Sequence, residues 1–286
     1  MTASPEEPRT LRVGLLQTAP VFGAVEENLT RIAELHNGLG PVDLALTPEL
    51  SANGYGFTPY QRTDELFSED DPRLAALVSA GIGVGFAERS GSGLPWNSYL
   101  LSDPLTGTRH LQRKLQPVSY APWNEHLSFQ AGAELRTADI RAARIATAIC
   151  NDMWHPVIPW LAAQGGAEVL VVPVASMEGT DPARIRRTWE VILEHTAVLL
   201  QCYVVFVNRC GTDEGARFWG GSRVLGPDGG VLARLGDGPG AAVAELDLTA
   251  LRRLRAEVPL LAEARTEFLS GALSTGPGPA RELRHV

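Results

Sequence analysis

Apolar positions along the chain follow two alternating rhythms. Short, nearly continuous apolar runs have the length and β-branched content of buried strands: LRVGLLQ (Leu11–Gln17), VDLALT (Val42–Thr47), AEVLVVPV (Ala167–Val174) and YVVFVN (Tyr203–Asn208). Between such runs apolar residues recur at helical spacing. Val25, Leu29, Ile32 and Leu35 share one face of a helix predicted over Val25–Leu39. A long helix is predicted over Asp181–Leu200, with Asp181-Pro182 as N-cap and first turn. A shorter helix near Arg73–Ser79 and a basic one over Thr249–Glu257 are also expected. GIGVGFAER (Gly81–Arg89), WNSYLLSD (Trp96–Asp103) and Arg109–Arg113 read as neighbouring strands, the last two joined by a turn at Asp103–Gly107. RIATAIC (Arg144–Cys150) reads as a strand ending at a cysteine, and GGSRVLG, GVLARLG and AAVAELD as short closing strands.

Strands alternating with helices argue for an α/β fold, and strand pairs joined by short turns argue against an all-parallel sheet. The expected architecture is a mixed-sheet sandwich covered by helices. No internal repeat and no linker divides the chain. A flexible N-terminus is expected over residues 1–10, a single domain over 11–262 and a C-terminal extension over 263–286.

Composition narrows the partners rather than the chemistry. The 286 residues are 44% hydrophobic and 20% charged, as in soluble globular proteins. The net charge of −8 contains no basic block, which argues against nucleic acid and anionic membrane surfaces. The longest apolar run, around Ala197 to Val207, is interrupted by Gln201, and a bilayer needs about 20 apolar residues. The N-terminus carries acids and prolines without an apolar core, so it does not read as a signal peptide. Cys150, Cys202 and Cys210 are too few, and wrongly spaced, for a disulfide framework or a C-x-x-C metal site. A reducing cytoplasm fits them, with Cys202 and Cys210 read as packing residues.

Three reactive residues fall at or just after strand ends: Glu49 beyond the strand 42–47, Lys114 beyond 109–113, and Cys150 at the end of 144–149. Strand ends are where α/β sheets gather sites. A thiol needs a base to become a useful nucleophile, a carboxylate can take that proton, and a tetrahedral intermediate needs a fixed donor for its oxyanion. Lys114 supplies one such donor, and the backbone N–H of Asn151 a second.

The segments TPELSANGYG (47–56), RKLQPVSYAPWNEHLSF (113–129) and ATAICNDMWHP (146–156) resemble the three signature regions of the carbon-nitrogen hydrolase (nitrilase) superfamily. FWGGSRVLGPDGGVLA (218–233) resembles its closing strands, so the likeness runs over about 11–262. The resemblance implies a four-layer α-β-β-α sandwich with two mixed β-sheets and a Glu–Lys–Cys set at Glu49, Lys114 and Cys150. It also implies that Glu125 hydrogen-bonds Lys114, that neither cofactor nor metal is needed, and that sandwiches pack as homodimers or higher oligomers. The implied activity is hydrolysis of a non-peptide C–N bond of a small linear amide through a cysteine thioester, releasing ammonia or an amine and a carboxylic acid.

Departures from the family pattern shape the substrate. Asn151-Asp152 follows the cysteine where nitrilases usually show Trp-Glu, which favours amides over nitriles. Met153-Trp154 stands where carbamoyl-amino-acid hydrolases carry arginines. The alternatives are a nitrilase or carbamoyl-amide hydrolase at the same site, or a catalytically silent binding relative. Asp152 reads as a cap for the following helix. Tyr55, Trp123, Trp154 and His155 are the candidate substrate-pocket residues, Trp189 reads as core rather than pocket, and loops 55–66, 118–128 and 176–182 are expected to set specificity.

Overall fold

The computed structural model describes residues 9–56, 63–91 and 93–275. The first half supplies β1 (Thr10–Gln17), α1 (Val25–Asn37), β2 (Leu44–Leu46), α2 (Pro72–Ser79), β3 (Ile82–Glu88), β4 (Trp96–Ser102) and β5 (Arg109–Arg113). After these come β6 (Thr137–Ile140), β7 (Ala143–Thr147), α3 (Val157–Gln164), β8 (Val169–Val174), α4 (Pro182–Leu199) and β9 (Tyr203–Asn208). The chain closes with β10 (Cys210–Asp213), β11 (Ala216–Trp219), β12 (Arg223–Leu225), β13 (Val231–Arg234), β14 (Gly240–Asp247), α5 (Leu248–Glu257) and α6 (Thr266–Thr275).

Two six-stranded sheets result, ordered β14-β1-β2-β3-β4-β5 and β6-β7-β8-β9-β12-β13, with β10-β11 as a separate hairpin. Read from these edges, both sheets repeat one pairing pattern: antiparallel, parallel, parallel, antiparallel, antiparallel. The strands β2, β8 and β9, flanked by parallel neighbours or lying at the middle of the sheet, are buried along their whole length, which is why they read as unbroken apolar runs.

Apolar burial explains the layering. Val13, Leu15, Leu44 and Leu46 of one sheet face Ile145, Val169, Val171 and Val205 of the other. On the outside, Leu29, Ile32 and Leu77 of α1 and α2 pack on Ile82 and Val84. Ile158, Trp189 and Leu193 of α3 and α4 pack on Leu170, Val172 and Phe206. The molecule is therefore the four-layer α-β-β-α sandwich with two mixed sheets. Asp181 caps α4 as expected, its Oδ1 accepting the N–H of Arg184 at 3.0 Å, with Pro182 in the first turn.

The differences from expectation are local. Thr10, placed in a flexible N-terminus, opens β1 opposite Asp247, and Arg9 donates to Glu168 at 3.1 Å. The rest of that segment, 1–8, lies outside the described residues, as do 57–62 of the loop 55–66 and 276–286 of the C-terminal extension. α6 forms within that extension. The strand before the cysteine stops at Thr147, and Cys150 instead opens a 3-10 turn, Cys150–Trp154. Among the described residues no helix is long and apolar enough to cross a membrane.

Candidate active site

The C-terminal ends of parallel strands from both sheets converge on one cluster. Past β2 the chain makes a tight turn that carries Glu49. Gly85 of β3 lets this turn lie against the sheet, because a Cβ there would meet the nitrogen of Leu50 and the oxygen of Pro48 at 2.6 Å. Leu50 and Cys150 both hold φ of +48°. Such left-handed backbone costs a non-glycine residue on the order of 1–2 kcal/mol, so both turns are held by their surroundings.

Glu49 is 1% exposed, and every contact of its carboxylate is to a donor. Oε1 accepts from Asn97 Nδ2 at 2.8 Å and Lys114 Nζ at 2.7 Å, and Oε2 from the Ala175 N–H at 2.9 Å. Lys114 follows β5, its backbone N–H fixed to the Asn97 oxygen of β4 at 2.8 Å. Its Nζ also stands 2.8 and 2.7 Å from the two oxygens of Glu125. Glu125 is anchored in turn by the Tyr55 hydroxyl at 2.6 Å and the Val118 N–H at 2.9 Å. One buried ammonium thus bridges two buried carboxylates.

The electrostatics follow from this enclosure. Burial pushes the Glu49 carboxyl up, with Lys114 opposing and Glu125 reinforcing the rise. Burial alone would lower the lysine, but Glu125, Glu49 and Cys150 together hold Lys114 well above its usual range. The Cys150 thiol is pushed well up by burial and by Glu49, with Lys114 and the Ala175 N–H pulling the other way. At rest the thiol is protonated and the lysine charged. The arrangement suits proton transfer during attack on a substrate rather than a standing thiolate.

Asp152 ties the two arms of the site together. Its Oδ1 accepts the N–H groups of Leu115 at 3.0 Å and Gln116 at 2.8 Å, and its Oδ2 that of Ile149 at 3.0 Å. It therefore caps the 3-10 turn Cys150–Trp154 through the Ile149 N–H, as expected, and also links that turn to the strand end bearing Lys114. The Asn151 side chain adds a bond to the Gln116 oxygen at 2.9 Å. Burial lifts the Asp152 carboxyl to about 6, against the lowering effect of Lys114 and these N–H groups.

A model of the carbon-nitrogen hydrolase family matches residues 12–256. The chain belongs to the carbon-nitrogen hydrolase family. Over 281 residues it is 30% identical to an (R)-stereoselective amidase of a Pseudomonas species, covering 96% of this chain and 98% of that protein. It is 40% identical over 128 residues to human deaminated glutathione amidase, a match to 44% of this chain but only 38% of that relative's length. In fold it is similar to a carbon-nitrogen hydrolase from Helicobacter pylori, with a TM-score of 0.81 and 23% identity over 93% of this chain and 98% of the other.

In this carbon-nitrogen hydrolase the cluster opens into a cavity of about 430 Å³. Cys150 and Asn151 lie on its wall with Tyr55, Trp123 and Trp154, and the buried Trp189 joins them. Trp154 packs edge-on against Trp189 at 5.7 Å, and Trp123 edge-on against Tyr120 at 5.4 Å. Loop residues from 118–125 and 176–181 complete the wall. His155 is a correction: it is exposed and does not line the cavity, because the chain turns outward after Trp154 to enter α3. Cys202 and Cys210 are buried away from the cavity, burial pushing their thiols up to about 12 and about 11.

Asn97, the Ala175 N–H and the positioning bonds of Asp152 were not anticipated. For Asn97 a signal existed: a polar amide inside the strand WNSYLLS, where β-propensity disfavours asparagine.

Proposed function

We propose that this chain is an amidase that cleaves the C–N bond of small linear amides through a thioester on Cys150. Glu49 takes the Cys150 proton as the sulfur attacks the amide carbonyl. Lys114 Nζ and the Asn151 N–H stabilise the oxyanion, and Glu49 passes the proton to the departing ammonia or amine as the C–N bond breaks. Water then attacks the thioester with Glu49 as base. The carboxylic acid leaves and the thiol is restored, so one carboxylate serves both half-reactions.

The observation that carries this reading is the Glu49–Lys114–Glu125 chain, whose carboxylate oxygens and ammonium are all hydrogen-bonded inside the fold, beside the one cysteine that faces the cavity. A silent binding scaffold gives no reason to bury one lysine between two carboxylates, an arrangement that loses several kcal/mol if any member goes. The amidase names of the Pseudomonas and human relatives point the same way. We place the reaction in the reducing cytoplasm, which suits a free thiol. We read the assembly as a homodimer, supported by an apolar groove of about 870 Å³ that includes Val157, Val191 and Leu199. A monomer by light scattering would end that part of the reading.

The test is ammonia release from a panel of linear amides, carbamoyl compounds and nitriles, with Cys150→Ala as control. Release from amides that the variant loses by at least about 10⁴-fold supports the scheme. Retention of activity without the thiol refutes it, and release from nitriles alone moves the enzyme to another reaction at the same site.

A further inference from the structure

The two oxygens of Glu49 are not equivalent. A carboxylate offers about four lone-pair sites, shared evenly between its oxygens. On Oε1 both sites are taken, one by Asn97 Nδ2 at 2.8 Å and one by Lys114 Nζ at 2.7 Å. Oε2 accepts the Ala175 N–H at 2.9 Å, and among the described residues its other site stays open. Ala175 lies on the cavity wall with Cys150, and its N–H also favours the Cys150 thiolate, so Oε2 is the oxygen on the sulfur's side. The next residue fixes that N–H in place. The Ser176 N–H donates to Asn208 Oδ1 at 2.8 Å, and Ser176 Oγ accepts the indole N–H groups of Trp189 and Trp219, each at 3.0 Å.

Asn97 is the neutral member of this set. It stands in β4 opposite Ala87 of β3, 1% exposed, and its backbone oxygen holds the Lys114 N–H at 2.8 Å. Its side-chain Oδ1 is buried and has no partner among the described residues. An unpaired buried acceptor costs stability. The reverse orientation of the amide would set that oxygen against the Glu49 carboxylate, two acceptors face to face. The strand therefore carries a half-paired amide, and what it gains is one donor on Glu49 Oε1.

We propose that Asn97 is a positioning residue of the reaction: by filling the second lone pair of Glu49 Oε1, it directs the proton leaving Cys150 onto Oε2. The S–H bond breaks as Oε2 takes the proton, and the electron pair left on sulfur attacks the carbonyl carbon. The same proton passes from Oε2 to the departing nitrogen as the C–N bond breaks. A proton on Oε1 would have to displace Asn97 or Lys114. Asn97 also favours the ionised form of Glu49, because its N–H bonds the charged state. The assignment rests on the amidase reading.

The test follows two rates against pH in the wild type, Asn97→Leu and Asn97→Ser: kcat/KM for butyramide, and alkylation of Cys150 by iodoacetamide, read on the Cys150 peptide by mass spectrometry. Leucine keeps the bulk without a donor, and serine is one atom too short to reach Oε1. Either variant that circular dichroism shows folded therefore removes the bond. Without it the Glu49 carboxyl takes its proton at higher pH. The acid limb of both profiles is expected to move up by about one unit or more, the scale of one hydrogen bond to a charged group. The plateau kcat is expected to fall at least about tenfold with KM within about twofold, because Oε1 now competes for the proton. A residue that only held the strand would lower the amount of folded protein and leave both limbs in place. Limbs that do not move in the folded variants, or a loss confined to KM, overturn the role of Asn97 and leave the amidase reading standing. A wild type that hydrolyses no amide, while its alkylation limb moves on loss of Asn97, overturns the amidase reading and leaves Asn97 as the residue that directs the proton to Oε2.

Discussion

The Glu49–Lys114–Glu125 cluster and the cavity rim sit within one site yet are built on opposite principles. In the cluster, Glu49, Lys114, Glu125 and Asp152 are charged groups with 3% exposure or less, and their carboxylate oxygens and ammonium are bonded to partners inside the fold. At the rim, Arg184 and Trp154 are exposed, and the Arg184 guanidinium forms no ion pair among the described residues. Buried charges that lose a partner become expensive, whereas exposed ones are screened by water. In the proposed mechanism the reacting groups are thus ones that cannot be changed singly, whereas the exposed rim tolerates change.

The sharpest way to break this contrast is Lys114→Met, which keeps the bulk and removes the charge. Two buried carboxylates then face each other without a cation. We expect stability to fall by about 3–5 kcal/mol and kcat by about 10³-fold from loss of the oxyanion partner. Urea melts and single-turnover ammonia release separate the two effects. A variant of near wild-type activity would place the oxyanion elsewhere.

Asp152→Asn tests whether the cluster's backbone frame is as closed as its charges. The amide offers one acceptor fewer and turns an N–H toward that of Ile149, so we expect a loss of about 1–3 kcal/mol at low pH. The pH dependence carries a second signature. Burial raises the Asp152 carboxyl from 3.8 to about 6, so the folded state prefers it protonated. Its favourable contribution is complete below pH 4 and disappears as pH rises through 6, a change of about 3 kcal/mol at 1.36 kcal/mol per unit. The stability gap between wild type and Asp152→Asn should therefore narrow between pH 4 and 6. A gap independent of pH would mean that Asp152 is ionised without cost.

Tyr55→Phe removes the 2.6 Å bond to Glu125 and leaves that carboxylate with Lys114 and the Val118 N–H. A fall of about tenfold in kcat is expected, the scale of one hydrogen bond to a charged group. An effect confined to KM would move Tyr55 from holding Glu125 to touching the substrate.

What could be read from the sequence divides along the same line. Glu49, Lys114 and Cys150 stand out because acyl transfer through a thiol allows few residue types, and each stands at or just past a strand end, apolar for Glu49 and Cys150 and marked by the preceding turn for Lys114. The sandwich was legible because strands buried on both faces leave unbroken apolar runs, as in β8 and β9. The edge strand β6 was not, since Thr137–Ile140 is half-exposed and has no such run. Ser176 and Asn97 were hidden for a different reason. Their roles depend on what lies across the sandwich, and for Ser176 that means two tryptophans 13 and 43 residues away in sequence.

His155 marks the limit of reading a pocket from proximity to the nucleophile, and it gives the smallest expected effect. It lies next to Trp154, one residue further from Cys150, and Trp154 does line the cavity. The five-residue 3-10 turn ends between them, and the histidine leaves toward solvent as the chain enters α3. His155→Ala should change kcat/KM by less than about twofold, within the scatter of surface substitutions of about 0.5 kcal/mol. Trp154→Ala should raise KM severalfold, because the ring covers Trp189 at 5.7 Å on the cavity wall. If the histidine substitution proves the more damaging of the two, the rim in solution differs from the one described, and the line between fixed cluster and tolerant rim must be redrawn to include it.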